Sequence, residues 1–188
     1  MKTKQLKLTA ALLAVTAGLT FTLAAGPTLK VGDPAPKLQT GKWVQGDPVK
    51  TLEKGNAYIV EFWATWCPPC RASIPHLNEV YKKFKDKGLI VIGQNVSERD
   101  ESLVAPFVKN MGAKMTYRVA LDDKTSDKRG QMSKTWMEAA GQNGIPAAFL
   151  VDTKDVIAWI GHPMDLEEHI IENVLSGKSR GSKGATGN

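Results

Sequence analysis

The chain has two cysteines, and they stand three residues apart in the run Cys67-Pro68-Pro69-Cys70. Two residues so spaced in the first turn of a helix bring their Cα atoms within disulfide range, roughly 4.4–6.8 Å. Such a pair opens and closes with little backbone movement, so the chemistry it offers is dithiol–disulfide exchange. A helix N-terminus carries unpaired N–H groups and about half a positive charge. That environment favours the thiolate at Cys67, and the thiolate is the nucleophile. Proline at the start of a helix loses no intrahelical bond and has its φ already set. Pro68 and Pro69 therefore stiffen the turn, but they also remove two donors that would otherwise reach the Cys67 sulfur. The loop between the cysteines is too small to staple a fold. Zinc wants about four ligands, and His76, His162 and His169 are not at ligand spacing to the pair. Haem attachment needs a histidine after the second cysteine, where this chain has Arg71. No metal and no separate cofactor is expected.

The elements around the pair follow from periodicity. Tyr58 to Trp63 reads as a buried strand entering the cysteine turn. From Pro68 the apolar positions Ile74, Leu77, Val80, Tyr81 and Phe84 keep helical spacing, with Pro75 inside the helix and Lys87-Gly88 at its end. Leu89 to Val96 is a second buried strand. Ser97 is a candidate cap for a helix from Glu98 to about Met111. Tyr117 to Leu121 is a short strand, Asp122 to Gly130 a charged loop, and Gln131 to Ala140 a short helix. Gly144-Ile145-Pro146 leads into a strand at Ala147 to Val151, and a second strand, Val156 to Ile160, closes an antiparallel hairpin. The last helix runs from Asp165 to about Leu175. Upstream, 27–54 is an extended lead-in with one or two short strands and a hairpin around Gly46-Asp47. The resulting order, β-α-β-α-β-α-β-β-α, predicts an α/β fold with a central mixed sheet flanked by helices on both faces.

The formal charge of +6 is carried by the two ends. Lys2, Lys4, Lys7, Lys178, Arg180 and Lys183 lie in segments without an acid, and setting them aside leaves 19 bases against 19 acids. A neutral body argues against nucleic-acid binding. Residues 1–25 have the basic start, apolar middle and small-residue end of a secretory signal, cleaved after Ala24 or Ala25. Its apolar stretch, about 16 residues, is short for a membrane span, which needs roughly 20; an uncleaved anchor is the alternative. Either way the domain, 26–176, is expected outside the cytoplasm, where disulfides persist. Residues 177–188 form a Gly/Ser/Lys tail expected to be disordered.

The run Glu61-Phe62-Trp63-Ala64-Thr65-Trp66-Cys67-Pro68-Pro69-Cys70, with Pro75 five residues on and Gly144-Ile145-Pro146 before a strand, resembles the thioredoxin superfamily. The lead-in Val31 to Pro36, the long insert between strands and the export signal are similar to its TlpA/ResA-like extracytoplasmic branch. The resemblance covers about Val31 to Leu175. It implies a thioredoxin-like fold and a thiol–disulfide oxidoreductase acting on protein disulfides. It also implies electrons from a membrane donor and a cis peptide at Pro146. Two departures stand out. The dipeptide between the cysteines is Pro-Pro rather than the Gly-Pro of thioredoxin, and Glu61 occupies the place of thioredoxin's buried Asp.

Roles follow. Cys67 attacks the substrate disulfide, and Cys70 resolves the mixed disulfide. Glu61, in an otherwise apolar strand, takes the Cys70 proton if it is buried; alternation alone would let it face solvent. Trp66, Pro68, Pro69, Ile145 and Pro146 form the substrate-binding surface, the Ile145 backbone pairing with an extended segment. Trp136 and Met137 read first as core residues, with an adjoining substrate groove as the alternative, and His76 reads as a surface residue. The protein is expected to be a monomer.

Three other readings compete. An oxidase or isomerase uses the same residues at a higher potential. A metallochaperone or docking module would bind without turnover. A peroxidase of the peroxiredoxin kind needs a P-x-x-x-T-x-x-C site, but Val60 and Ala64 stand at its anchor positions.

Overall fold

In a computed structural model, which describes residues 27–178, six strands form a single mixed sheet. The strands are β1 (Thr40–Gln45), β2 (Ala57–Trp63), β3 (Leu89–Asn95), β4 (Arg118–Asp122), β5 (Ala147–Val151) and β6 (Ile157–Gly161). Their order across the sheet is β1-β4-β3-β2-β5-β6. The expected signal and all but the first two residues of the expected tail lie outside the described residues.

All seven residues of β2 are buried. It runs parallel to β3 and antiparallel to β5, so it has neighbours on both sides and layers on both faces. That is why it reads as an almost unbroken apolar run. Ile59 and Trp63 face one core, shared with the helices α1 (Pro68–Phe84), α2 (Val104–Met111) and α3 (Glu168–Leu175). Tyr58, Val60 and Phe62 face a second core with Leu29, Met132 and Trp136. The helices thus flank the sheet unequally. Three α-helices cover one face; a π-helical segment, Ser133–Glu138, and the lead-in cover the other.

Several boundaries moved for local reasons. The lead-in holds one strand and no hairpin: β1 pairs antiparallel with β4, and Gly46, at φ 74°, follows it directly against Arg118. Ser97 does not cap α2. Its φ is 53°, and the Asp100 carboxylate instead accepts from the Ser102 N–H at 2.9 Å and opens a 3-10 turn, Glu101–Leu103. Pro106 then sits in the first turn of α2, where a missing N–H costs nothing. The short helix expected from Gln131 to Ala140 is present and is π-helical over Ser133–Glu138; Met132, Trp136 and Met137 are buried there, and Ala139 and Ala140 only partly. The last helix begins only at Glu168; a separate 3-10 turn, Pro163–Asp165, precedes it, and Leu166 and Glu167 are extended between the two. α1 runs through Pro75 from Pro68 to Phe84 and passes through a 3-10 turn to Gly88, at φ 94°.

Candidate active site

β2 delivers its C-terminal end to the turn Ala64–Trp66, and α1 starts at once. Cys67 is the N-cap of α1, with Pro68 and Pro69 as its first two residues. Because neither proline has an N–H, the first free donor of the helix is that of Cys70. It donates to Cys67 Sγ at 3.2 Å. The prolines therefore leave one backbone donor aimed at the sulfur. Cys67 and Cys70 form a disulfide with Cα atoms 5.3 Å apart.

The turn is held from the neighbouring strand. After β3, the Glu98 carboxylate accepts from the Thr65 N–H at 2.9 Å, the Thr65 hydroxyl at 2.8 Å and the Asn95 amide at 3.0 Å. The Trp66 indole N–H donates to the Ser97 carbonyl at 3.0 Å. Ser97's left-handed backbone is thus part of a brace that joins the ends of β2 and β3. No spacing rule connects residues 65 and 98, so Glu98 reads from sequence as the first residue of a helix.

Above the disulfide the rim is apolar. Pro68 and Pro69 are exposed, and Trp66, at 49 % exposure, stands at the rim. The Ile145–Pro146 peptide is cis. The Ile145 carbonyl oxygen lies 3.7 Å from Cys67 Sγ, so the residues singled out at 66–69 and at 145–146 meet at one sulfur. Both cysteines are buried, Cys67 at 2 % exposure and Cys70 at none. From this rim an open groove of about 750 Å³ runs past Met137 and Ile145 toward Lys124, Lys128 and Arg129. Met137, though buried, also lines it. Trp136 does not: it is buried, stacked edge-on against Phe149 with centroids 5.4 Å apart.

On the inner side of the Cys70 turn the site is polar and buried. Glu61 is fully buried, which overturns the solvent-facing alternative. Its register partners are Gly93 on β3 and Ala148 on β5, so neither neighbouring strand crowds the carboxyl. A Cβ at Gly93 would lie 3.0 Å from Tyr117 Cε2 and 3.1 Å from Trp63 Nε1, so glycine there makes room for both rings. The Tyr117 hydroxyl donates to Glu61 Oε2 at 3.0 Å, and the Ser73 hydroxyl lies 3.2 Å from Oε1. Burial raises the carboxyl to about 7; the bonds from Tyr117 and Ser73 pull the other way but do not overcome it. The same burial, with Glu61 beside it, pushes the Tyr117 hydroxyl well above its ordinary value, so Tyr117 remains a donor. Sequence reasoning missed Tyr117, which reads as the start of a strand far from residue 61. Ser73 had a signal, being a polar residue inside the buried stripe Cys70, Ile74, Leu77 of α1. His76, half-buried, takes no part in this cluster. Among the described residues, no three His, Cys, Asp or Glu side chains stand together as a metal cluster.

Residues 30–175 match the Redoxin family. The chain is 32 % identical over 147 residues to the thiol-disulfide oxidoreductase ResA of Bacillus cereus, covering 75 % of this chain and 78 % of ResA. It is 27 % identical over 165 residues to the protein FixW of Rhizobium leguminosarum, covering 82 % and 70 %. Among solved structures, a thiol:disulfide interchange protein of the thioredoxin family from Chlorobium tepidum superposes with a TM-score of 0.60. It is 30 % identical and covers 77 % of this chain and 97 % of that one. By these matches, and with a cysteine pair capping a helix at disulfide distance, the chain is a member of the Redoxin family, a TlpA/ResA-like thiol-disulfide oxidoreductase of the thioredoxin superfamily.

Proposed function

We propose that this oxidoreductase is exported and reduces disulfides in other proteins. The observation that carries the reading is the Cys67 sulfur, set between a helix N-terminus that donates to it and the Ile145 carbonyl beside it, with Glu61 buried beneath. In the reduced protein the Cys67 thiolate attacks one sulfur of a substrate disulfide. The substrate S–S bond breaks, its other sulfur leaves as a thiolate and takes a proton, and a mixed disulfide remains on Cys67. Glu61 accepts the proton of the Cys70 thiol. Cys70 sulfur then attacks Cys67 Sγ, the second substrate thiolate departs, and the Cys67–Cys70 disulfide closes. Two electrons pass from protein to substrate.

Trp66, Pro68, Pro69, Ile145 and Pro146 seat the substrate strand; the half-exposed indole and the Ile145 backbone beside the sulfur support this. The disulfide is the only redox group the cycle needs, so we assign no metal and no bound cofactor. The protein acts as a monomer, does not bind nucleic acid, and is returned to the dithiol by a membrane electron donor. The export signal at residues 1–25 supports an extracytoplasmic site of action. No helix among the described residues is long and apolar enough to cross a membrane.

The test is the reduction potential of the pair. The protein is equilibrated in graded dithiol buffers, its free thiols are alkylated, and they are counted by mass. A potential near or below about −250 mV is expected for a reductant, while a value near about −150 mV or higher would make it an oxidase or isomerase.

A further inference from the structure

One buried hydroxyl is not used by the cycle just described. Ser73 lies one turn after Cys70 on α1, with no exposed surface. Its Oγ is 2.9 Å from the Cys70 carbonyl oxygen and 3.2 Å from Glu61 Oε1. A hydroxyl has one hydrogen to give and two lone pairs to receive. It cannot donate to both oxygens at once. When Glu61 is protonated, the carboxyl donates to Ser73 Oγ and Ser73 donates to the Cys70 carbonyl, so both contacts are hydrogen bonds. When Glu61 ionises, the Ser73 hydrogen is needed at Oε1, and the Cys70 carbonyl keeps its helical partner four residues on. Tyr117 donates to Oε2 in both states, since its hydroxyl stays protonated.

We propose that Ser73 is a positioning residue of the resolving step, its hydroxyl swinging between the Cys70 carbonyl and Glu61 so that the carboxyl stays beside the Cys70 turn whether or not it carries a proton. This rests on Glu61 being the base for Cys70. The titratable groups facing the cluster are few. Tyr117 precedes β4 and the Cys70 thiol comes from α1, while β3 and β5 present Gly93 and Ala148. No Lys, Arg, Asp or second Glu contributes to the Glu61 shift. Loss of the Ser73 bond therefore removes one of only two stabilising partners of the ionised carboxyl.

The experiment mixes the reduced protein with an aromatic disulfide, 5,5′-dithiobis(2-nitrobenzoate), and follows thionitrobenzoate release by stopped flow from pH 5 to 9. The first thionitrobenzoate reports Cys67 attack and the second reports resolution by Cys70. In Ser73→Ala the midpoint of the second phase should move up by about half to one pH unit, with the phase about three- to fivefold slower at pH 7 and the first phase unchanged. Ser73→Thr, which keeps the hydroxyl, should keep the wild-type midpoint. Carbon-13 titration of the Glu61 carboxyl in the oxidised protein should show the same shift without turnover. In a Glu61→Gln background, Ser73→Ala should add nothing. A midpoint that Glu61→Gln alters and Ser73→Ala does not would overturn the role of Ser73. Equal slowing by Ser73→Ala with and without Glu61 would also overturn it, as a merely structural effect. A wild-type midpoint in Glu61→Gln would instead remove Glu61 as the base, and Ser73 with it.

Discussion

The two sides of the Cys67–Cys70 disulfide are built from opposite materials. On the outer side Trp66, Pro68, Pro69 and the Ile145–Pro146 loop make an apolar rim open to solvent, leading into the groove past Met137. On the inner side Glu61, Ser73 and Tyr117 make a polar cluster shut away from water. The rim can tolerate change, because exposed apolar groups carry little folding energy. The cluster cannot, because each buried polar atom needs its bond. On the proposed mechanism the difference separates two tasks: recognition and first attack outside, proton handling and resolution inside.

The largest expected effect tests that division at the sulfurs. Cys67→Ser should abolish disulfide reduction, a loss on the order of a thousandfold or more. Cys70→Ser should lose turnover equally but accumulate a mixed disulfide, visible by mass as substrate joined to Cys67. Accumulation in Cys67→Ser rather than Cys70→Ser would reverse the two faces.

Glu61→Gln comes next. It should slow the second phase by about a hundredfold while sparing the first. It also has a stability consequence whose sign follows from the raised pKa. Below pH 4.5 the carboxyl is neutral in folded and unfolded chains alike. Between 4.5 and about 7 only the unfolded chain ionises, so stability falls as pH rises and levels off above about 7. Glu61→Gln should remove that slope and be more stable than the parent at pH 8 by roughly 3 kcal/mol, read by urea unfolding at pH 4 and pH 8. A parent protein equally stable at both pH values, with Glu61→Gln showing the same profile, would place the carboxyl in contact with water.

The smallest effect belongs to the rim. Trp66→Ala removes a half-exposed ring, so its unfolding free energy should stay within about 0.5 kcal/mol of the parent. KM for a protein disulfide should rise severalfold, with the second phase and its midpoint unmoved. A shifted midpoint would join the two sides and end the comparison.

How much of this was legible depends on how far the information lies along the chain. The cysteine pair, its helix and the strand before it are contiguous, so their chemistry is read from spacing alone. Pro146 was found through its neighbours Gly144 and Ile145 and the strand that follows. The start of α2 was misplaced because Ser97 and Asp100 are both good caps, and only the backbone shows that Ser97 is left-handed and bonded to Trp66. The π-helix at Ser133–Glu138 departs from the 3.6-residue period on which a helical reading rests.

The reactive pair, the order of strands and helices and the family resemblance can all be read along the chain, because they depend on local spacing and hydrophobic period. The tertiary structure alone decided the surroundings of Glu61. Alternation along β2 assigns a residue to one of two faces but does not say whether that face is covered. Burial came from α1 packing over it, room from Gly93 on β3, and hydrogen bonds from Ser73 and Tyr117, 12 and 56 residues away in the chain. A carboxyl's proton affinity is set by what surrounds it in space, and here most of that comes from other elements of the fold.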